Sequence, residues 1–171
     1  AAFKNGDVDL GLAKHDEAKQ LLSPQRDLRM WLRFHRSAAN CRLDAGITDG
    51  VAEMLRMSAT GLEIMGNAAD VVELRQARAR LALIEDRVDE AIAIIESVIK
   101  DPVLENPMYG RGTSEFILAE ALVRAGHAER AAEHFAAAAR IFENEGRLKQ
   151  SVDAWQKATE SGIGEKNLTS A

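Results

Sequence analysis

Apolar residues recur along this chain at helical intervals, and turn-like sites interrupt them at a fixed distance. Gly6-Asp7, Gly46-Ile47, Asp86-Arg87 and Gly126-His127 each stand 40 residues after the one before. Five residues beyond the last three turns come Val51, Ala91 and Ala131. Leu55, Ile95 and Phe135 follow four further on, then Ser58, Val98 and Ala138 after three more. Small, large, small at i, i+4 and i+7 is one face of a helix. The small positions let a second helix axis approach, and the large one fills the space beside it. A repeat therefore organises the chain, each unit reading as helix A, short turn, helix B.

The pattern predicts one repeat domain over 1–161. It holds a partial repeat at 1–23, units at 26–66, 67–106 and 107–146, and a capping helix at 147–161, followed by a flexible tail at 162–171. In the clearest block helix A runs over about 114–125 and helix B over about 129–144. Ser23-Pro24 reads as a helix start, a cap residue followed by proline at the first helical position. The first full helix A then covers Gln25 to Ala45. Asp101-Pro102 ends another helix and opens the longest break, to Thr113, which carries Tyr109.

Composition narrows the class. The chain has 171 residues, 46% of them hydrophobic but only 5% aromatic, so its core must be aliphatic and rich in alanine. At 29% charged residues it is neither disordered nor membrane-embedded. A net charge of −5 argues against a nucleic-acid surface. A single cysteine, Cys41, cannot form an internal disulfide and favours a reducing compartment, the cytoplasm. The first residues show no charged-then-apolar pattern, so no signal peptide is expected.

Asp86-Arg87-Val88-Asp89-Glu90-Ala91-Ile92 and Ala125-Gly126-His127-Ala128-Glu129-Arg130-Ala131 resemble the inter-helix turn of tetratricopeptide (TPR) repeats. Ile95 with Val98, and Phe135 with Ala138, fall where that family has its large and small helix B positions. The unit is longer than the usual repeat of about 34 residues. It is more similar to the TPR-like regions of bacterial helix-turn-helix transcriptional regulators, and Ala77 to Leu83 has the character of the maltose-activator type. The resemblance implies an all-α, right-handed superhelix of antiparallel helical hairpins with a C-terminal capping helix. Because five residues precede the first turn, the chain is expected to be part of a longer protein, cut inside a repeat.

Catalytic chemistry is sparse. Gly6 and Gly11 have phosphate-loop separation, but Leu12-Ala13 follows where Lys and Ser/Thr are needed. His127 and His134 stand seven apart with no carboxylate partner evident. His15 and His35 fall on apolar faces, where a packed, hydrogen-bonded histidine is expected. Cys41 reads as a small buried hydrophobe. No enzyme, cofactor or metal is expected.

The first helix A is the exception. Trp31, Phe34, Ala38 and Cys41 form one apolar stripe, and Leu28, Leu32, His35, Ala39 and Leu43 another. Between them run Arg29, Arg33, Arg36 and Asn40. A helix apolar on two sides is sandwiched, so its polar strip is expected at the surface. The TPR resemblance implies that helices A line a concave groove, into which Arg33, Arg36, Asn40 and Asp44 point. The later blocks contribute Glu73, Gln76 and Arg80, then Phe116, Glu120 and Arg124. Arginine forks pair with carboxylates, an asparagine amide pairs with a peptide unit, and Phe116 is the candidate aromatic anchor. The Arg36/Asn40 spacing is similar to part of the family's peptide carboxylate clamp, whereas Ala77 and Ile117 depart from the rest of it.

The expected function is recognition of a peptide or protein segment, as the ligand-sensing or oligomerisation part of a larger bacterial regulator. This fragment is expected to contact neither nucleic acid nor membrane. The alternatives are a constitutive scaffold or homodimerisation module and the tether of a signalling ATPase or enzyme. A homodimer would need an exposed apolar face, for which Phe142, Leu148, Val152 and Trp155 are the candidates.

Overall fold

Three inter-helix turns close with the same hydrogen bonds. Gly46, Gly126 and Gly146 have positive φ angles of 73, 79 and 72°. Each glycine N–H donates to the carbonyl three residues back, and the next residue's N–H reaches back five. These are Gly46 to Leu43 and Ile47 to Arg42, Gly126 to Val123 and His127 to Leu122, and Gly146 to Glu143 and Arg147 to Phe142. This is the Schellman closure, which satisfies the last carbonyls of the leading helix and needs a left-handed residue. Gly6 (79°) and Asp86 (60°) are left-handed as well, so all four turn sites 40 residues apart share one backbone region.

The computed structural model describes residues 3, 6–105 and 110–168. Among them are eight α-helices and no strand: α1 (Val8–Leu21), α2 (Leu28–Asp44), α3 (Val51–Met65), α4 (Ala68–Ile84), α5 (Val88–Ile99), α6 (Arg111–Arg124), α7 (Ala128–Asn144) and α8 (Leu148–Leu168). A 3-10 turn, Pro102–Glu105, lies between α5 and α6. Tyr109 falls outside the described residues.

The chain divides into two compact units, Ala1–Ile84 and Glu85–Ala171, with the division inside the sequence-derived repeat 67–106. In the first unit α2 packs on α3, and α4 packs on both. In the second, α5 packs on α6, α6 on α7 and α7 on α8. All nine residues of the small-large-small pattern are at most 2% exposed. Burial of a side chain the size of Leu55 or Phe135 contributes about 1.5–3 kcal/mol, so these helix B faces carry much of the stability. Neighbouring helices meet tightly at two glycines. A Cβ on Gly61 would lie 2.5 Å from Leu32 Cδ1, and one on Gly112 would lie 2.8 Å from Phe142 Cε1.

Three boundaries differ from the sequence reading, among them the start of α6, which opens at Arg111 rather than near Ser114. α2 starts at Leu28, not at Gln25, because Asp27 accepts from the Met30 N–H at 2.8 Å and caps it. Ser23 instead closes a turn: its carbonyl accepts from Arg26 and Asp27, and its hydroxyl donates to Gln25. At the other end, the tail expected from Gly162 is helical to Leu168, since no proline or left-handed glycine stops α8 there.

Candidate functional site

The polar strip of α2 meets α4. Asp70, in the first turn of α4, is 3% exposed and receives the guanidinium of Arg33 in a fork, Nε at 3.0–3.1 Å and Nη2 at 2.8 Å. Arg36 Nη1 donates to the other side of the same carboxylate at 2.6 Å. Asp70 also completes a capping box with Asn67: its carboxylate accepts from Asn67 N–H at 3.1 Å, and its own N–H donates to Asn67 Oδ1 at 2.9 Å. Burial pushes the Asp70 carboxyl up, but the Arg33 hydrogen bonds, the Asn67 N–H and the two guanidinium charges outweigh it and hold it below the usual aspartate value.

The seam continues with Arg36 Nη2 to Glu73 Oε2 at 2.9 Å and Arg80 Nη2 to Asp44 Oδ1 at 2.8 Å. Thus Arg33, Arg36, Glu73 and Arg80 of the candidate set are engaged between α2 and α4. Arg36 is buried, where the sequence reading placed the strip on the open surface. That reading treated α2 alone, and α4 supplies the covering acid. The Asn67-to-Asp70 spacing of a capping box was the legible signal for Asp70. Of the remaining candidates, Arg29 is exposed, Asn40 half-buried and Gln76 buried. In the second unit, Phe116 packs edge-on against Phe135, with ring centroids 5.2 Å apart, and lies against the α7–α8 core. Lys157 pairs with Glu120 at 3.7 Å and sits over the Phe116 ring, and Arg124 is exposed.

The opposite face of α2 borders a chamber of about 340 Å3, shared with α1 and the turn into α3. His35 lies in its wall at 1% exposure, ringed by Trp31 at 4.4 Å and Phe34 at 5.4 Å. Neither of its ring nitrogens has a hydrogen-bond partner, nor does His15 Nδ1 or Arg42 Nε. The expectation of hydrogen-bonded histidines fails here, because aromatic edges rather than polar groups surround both rings. His15 stands between Phe3 at 4.9 Å and Phe34 at 6.0 Å. A buried polar group left unmet costs about 1–3 kcal/mol, so these atoms favour a polar partner in the chamber, water included.

Both histidines are held neutral. For His35, burial lowers the pKa and the Lys19 charge adds to it, opposed by Glu53. For His15, burial and then the Arg42 charge lower it, opposed by Asp16. Arg42 is 7% exposed; its Nη1 donates to the Asp49 carbonyl at 2.8 Å, and no described carboxylate lies within ion-pair distance. Single-helix periodicity could not reveal this site, because its walls come from three separate segments.

Elsewhere, His134 does have a carboxylate partner, in contrast to the sequence reading: Nδ1 lies 2.7 Å from Glu115 Oε2, across from α7 to α6. Among the described residues no three His, Cys, Asp or Glu side chains come together as a metal site. No described helix is long and apolar enough to cross a membrane. Compared with known proteins, the chain matches no family model, no curated protein and no solved structure.

Proposed function

We propose that the chain is a TPR-like recognition module, the ligand-sensing part of a larger bacterial regulator, working by non-covalent binding. The observation that carries this reading is the chamber against α2, where buried donors stand without partners beside a ligand-sized space. The shared left-handed turns at 40-residue spacing support the repeat half of the reading. Binding shifts such a module between states only through different affinity for each. The test is a titration with a panel of small carboxylates, amines and short peptides. Trp31, packed on His35, serves as the fluorescence reporter in a Trp155→Phe background. At least one class should give a saturable change, and silence from the whole panel would retire the reading.

A homodimerisation module is the second reading, favoured by the exposed apolar face of α8. Leu148 and Val152 are 67% and 66% exposed, and Trp155 is partly exposed. Phe142, expected on that face, is buried under Gly112 instead. Light scattering over a dilution series decides this: a dimer that Val152→Glu dissociates supports it, and a monomer at every concentration removes it.

A further inference from the structure

We propose that the chamber between α1, α2 and the turn into α3 binds a small amphipathic monocarboxylate. The inference rests on the recognition reading and names the chemistry of its ligand. Three features of the walls select that chemistry.

The first is an unbalanced buried charge. Arg42 is a permanent cation, nearly all of it buried, whose Nε–H is unpartnered and whose Nη1 donates to a neutral carbonyl. A guanidinium in that state favours an anion, and a carboxylate matches its fork. The second feature is the pair of neutral imidazoles. Each offers one N–H and one acceptor nitrogen, so His15 and His35 can donate to a carboxylate oxygen without adding charge. Of the two cations in the lining, Arg42 and Lys19, only Arg42 is buried. Acids at the rim, Asp16, Asp49 and Glu53, outnumber Lys19 there and disfavour a dianion such as phosphate. Glu53 is already forked by Arg56 at 2.7 and 2.8 Å, so the rim does not present it freely to an amine.

The third feature is the apolar remainder of the wall, supplied by Phe34, Met54 and Met57. Methionine adapts to irregular shapes, and the Phe34 ring gives a flat surface for a hydrophobic body. At about 30 Å3 per water-sized group, the chamber holds roughly ten non-hydrogen atoms. Phenylacetate has that size, one carboxylate and one apolar ring.

The experiment is isothermal titration calorimetry of the full chain with three probes: phenylacetate, phenethylamine of the same body without the carboxylate, and inorganic phosphate. Phenylacetate should bind saturably at one site, at least tenfold tighter than either of the others. Arg42→Met should weaken it at least tenfold. Met57→Trp, which fills the chamber from its half-exposed wall, should abolish it while the helical circular dichroism stays unchanged. If Arg42→Met does not fold, His35→Phe takes its place and should weaken binding at least tenfold through the lost N–H. Three results each overturn the inference: no saturable binding of phenylacetate, binding that survives Met57→Trp, or equal affinity for phenethylamine or phosphate. A peptide that binds while phenylacetate does not leaves the recognition reading standing and removes this one.

Discussion

The two compact units are built from hairpins with the same turn, yet they fill their interiors differently. In the second unit the helices meet on alanine: Ala119, Ala121, Ala131, Ala138, Ala139 and Ala154 are all fully buried, with Phe135 and Phe142 between them. The first unit likewise buries Ala38, Ala39, Ala59, Ala77, Ala79 and Ala82, but it also buries Arg36, Arg42, Asp70 and His35, where the second buries, among the described residues, one charged side chain, Glu115. A methyl group lets two helix axes close and leaves no polar group to satisfy. A guanidinium or imidazole keeps them apart and demands a partner. On the α4 side of α2 the partner is Asp70. On the α1 side Arg42 reaches only the Asp49 carbonyl, both His35 nitrogens lack a partner among the described residues, and a chamber remains. The same hairpin can therefore carry a mostly apolar seam in one unit and a charged, ion-paired seam in the other, according to what stands between the helices.

The most disruptive way to break this contrast is Asp70→Ala. It leaves two guanidiniums facing each other and removes the acceptor of the Asn67 N–H, and loss of one partner from a buried ion pair costs about 3–5 kcal/mol. Urea unfolding read at Trp31 should show it. The same carboxylate sets an acid limit. Its pKa is depressed in the folded state, so its contribution is present above the unfolded value near 3.9 and is lost as pH falls through the lower folded value. Asp70→Asn should flatten the unfolding midpoint against pH in that range, and an unchanged acid limb would show that the charge contributes little.

Next in size is Ala131→Leu in the second unit, which should overpack the α6–α7 contact and cost about 1–3 kcal/mol. The Trp155 signal reads it, and a neutral result would mean the seam is not close-packed.

Smaller again is a pH effect confined to the first unit. His15 and His35 have lowered folded pKa values, so their contribution is full above the unfolded value near 6.5. It declines as pH falls toward the folded values, where the unfolded chain takes up protons that the folded one refuses. Thermal melts at pH 7 and pH 5.5 should show the loss at Trp31, and His35→Phe should reduce it. Lys19 and Glu53 are the charges acting on His35, so Lys19→Gln should shrink the loss as well. The least change is expected from Leu148→Gln on the exposed face of α8, within about 0.5 kcal/mol. A larger loss, dependent on protein concentration, would instead place that face in a dimer.

Much of the fold was legible along the chain because it depends on local terms. A left-handed turn residue stops a helix wherever it stands, which is why Gly46, Asp86 and Gly126 could be read as turns. The period of apolar residues picks out a buried face without knowledge of what covers it, so Leu55, Ile95 and Phe135 were legible as core. The α2 start was missed by three residues because Ser23 and Asp27 are both competent caps, and only the backbone path chose between them. The candidate site was legible to a smaller extent. The strip Arg33, Arg36 and Asn40 could be seen on one helix, but its environment could not. Asp70 lies 37 residues from Arg33 and 34 from Arg36, and it reaches them only because α4 packs across α2. Likewise, Trp31 and Phe34 can be read beside His35 on one helix, but whether its nitrogens find partners depends on the placing of α1 and α3, which line the same chamber. Helix, turn and buried face were determined by the sequence through interactions spanning a few residues. The pairing of one strip and the open chamber beside the other were decided by the tertiary structure, because desolvation and ion pairing are properties of what two segments exclude between them.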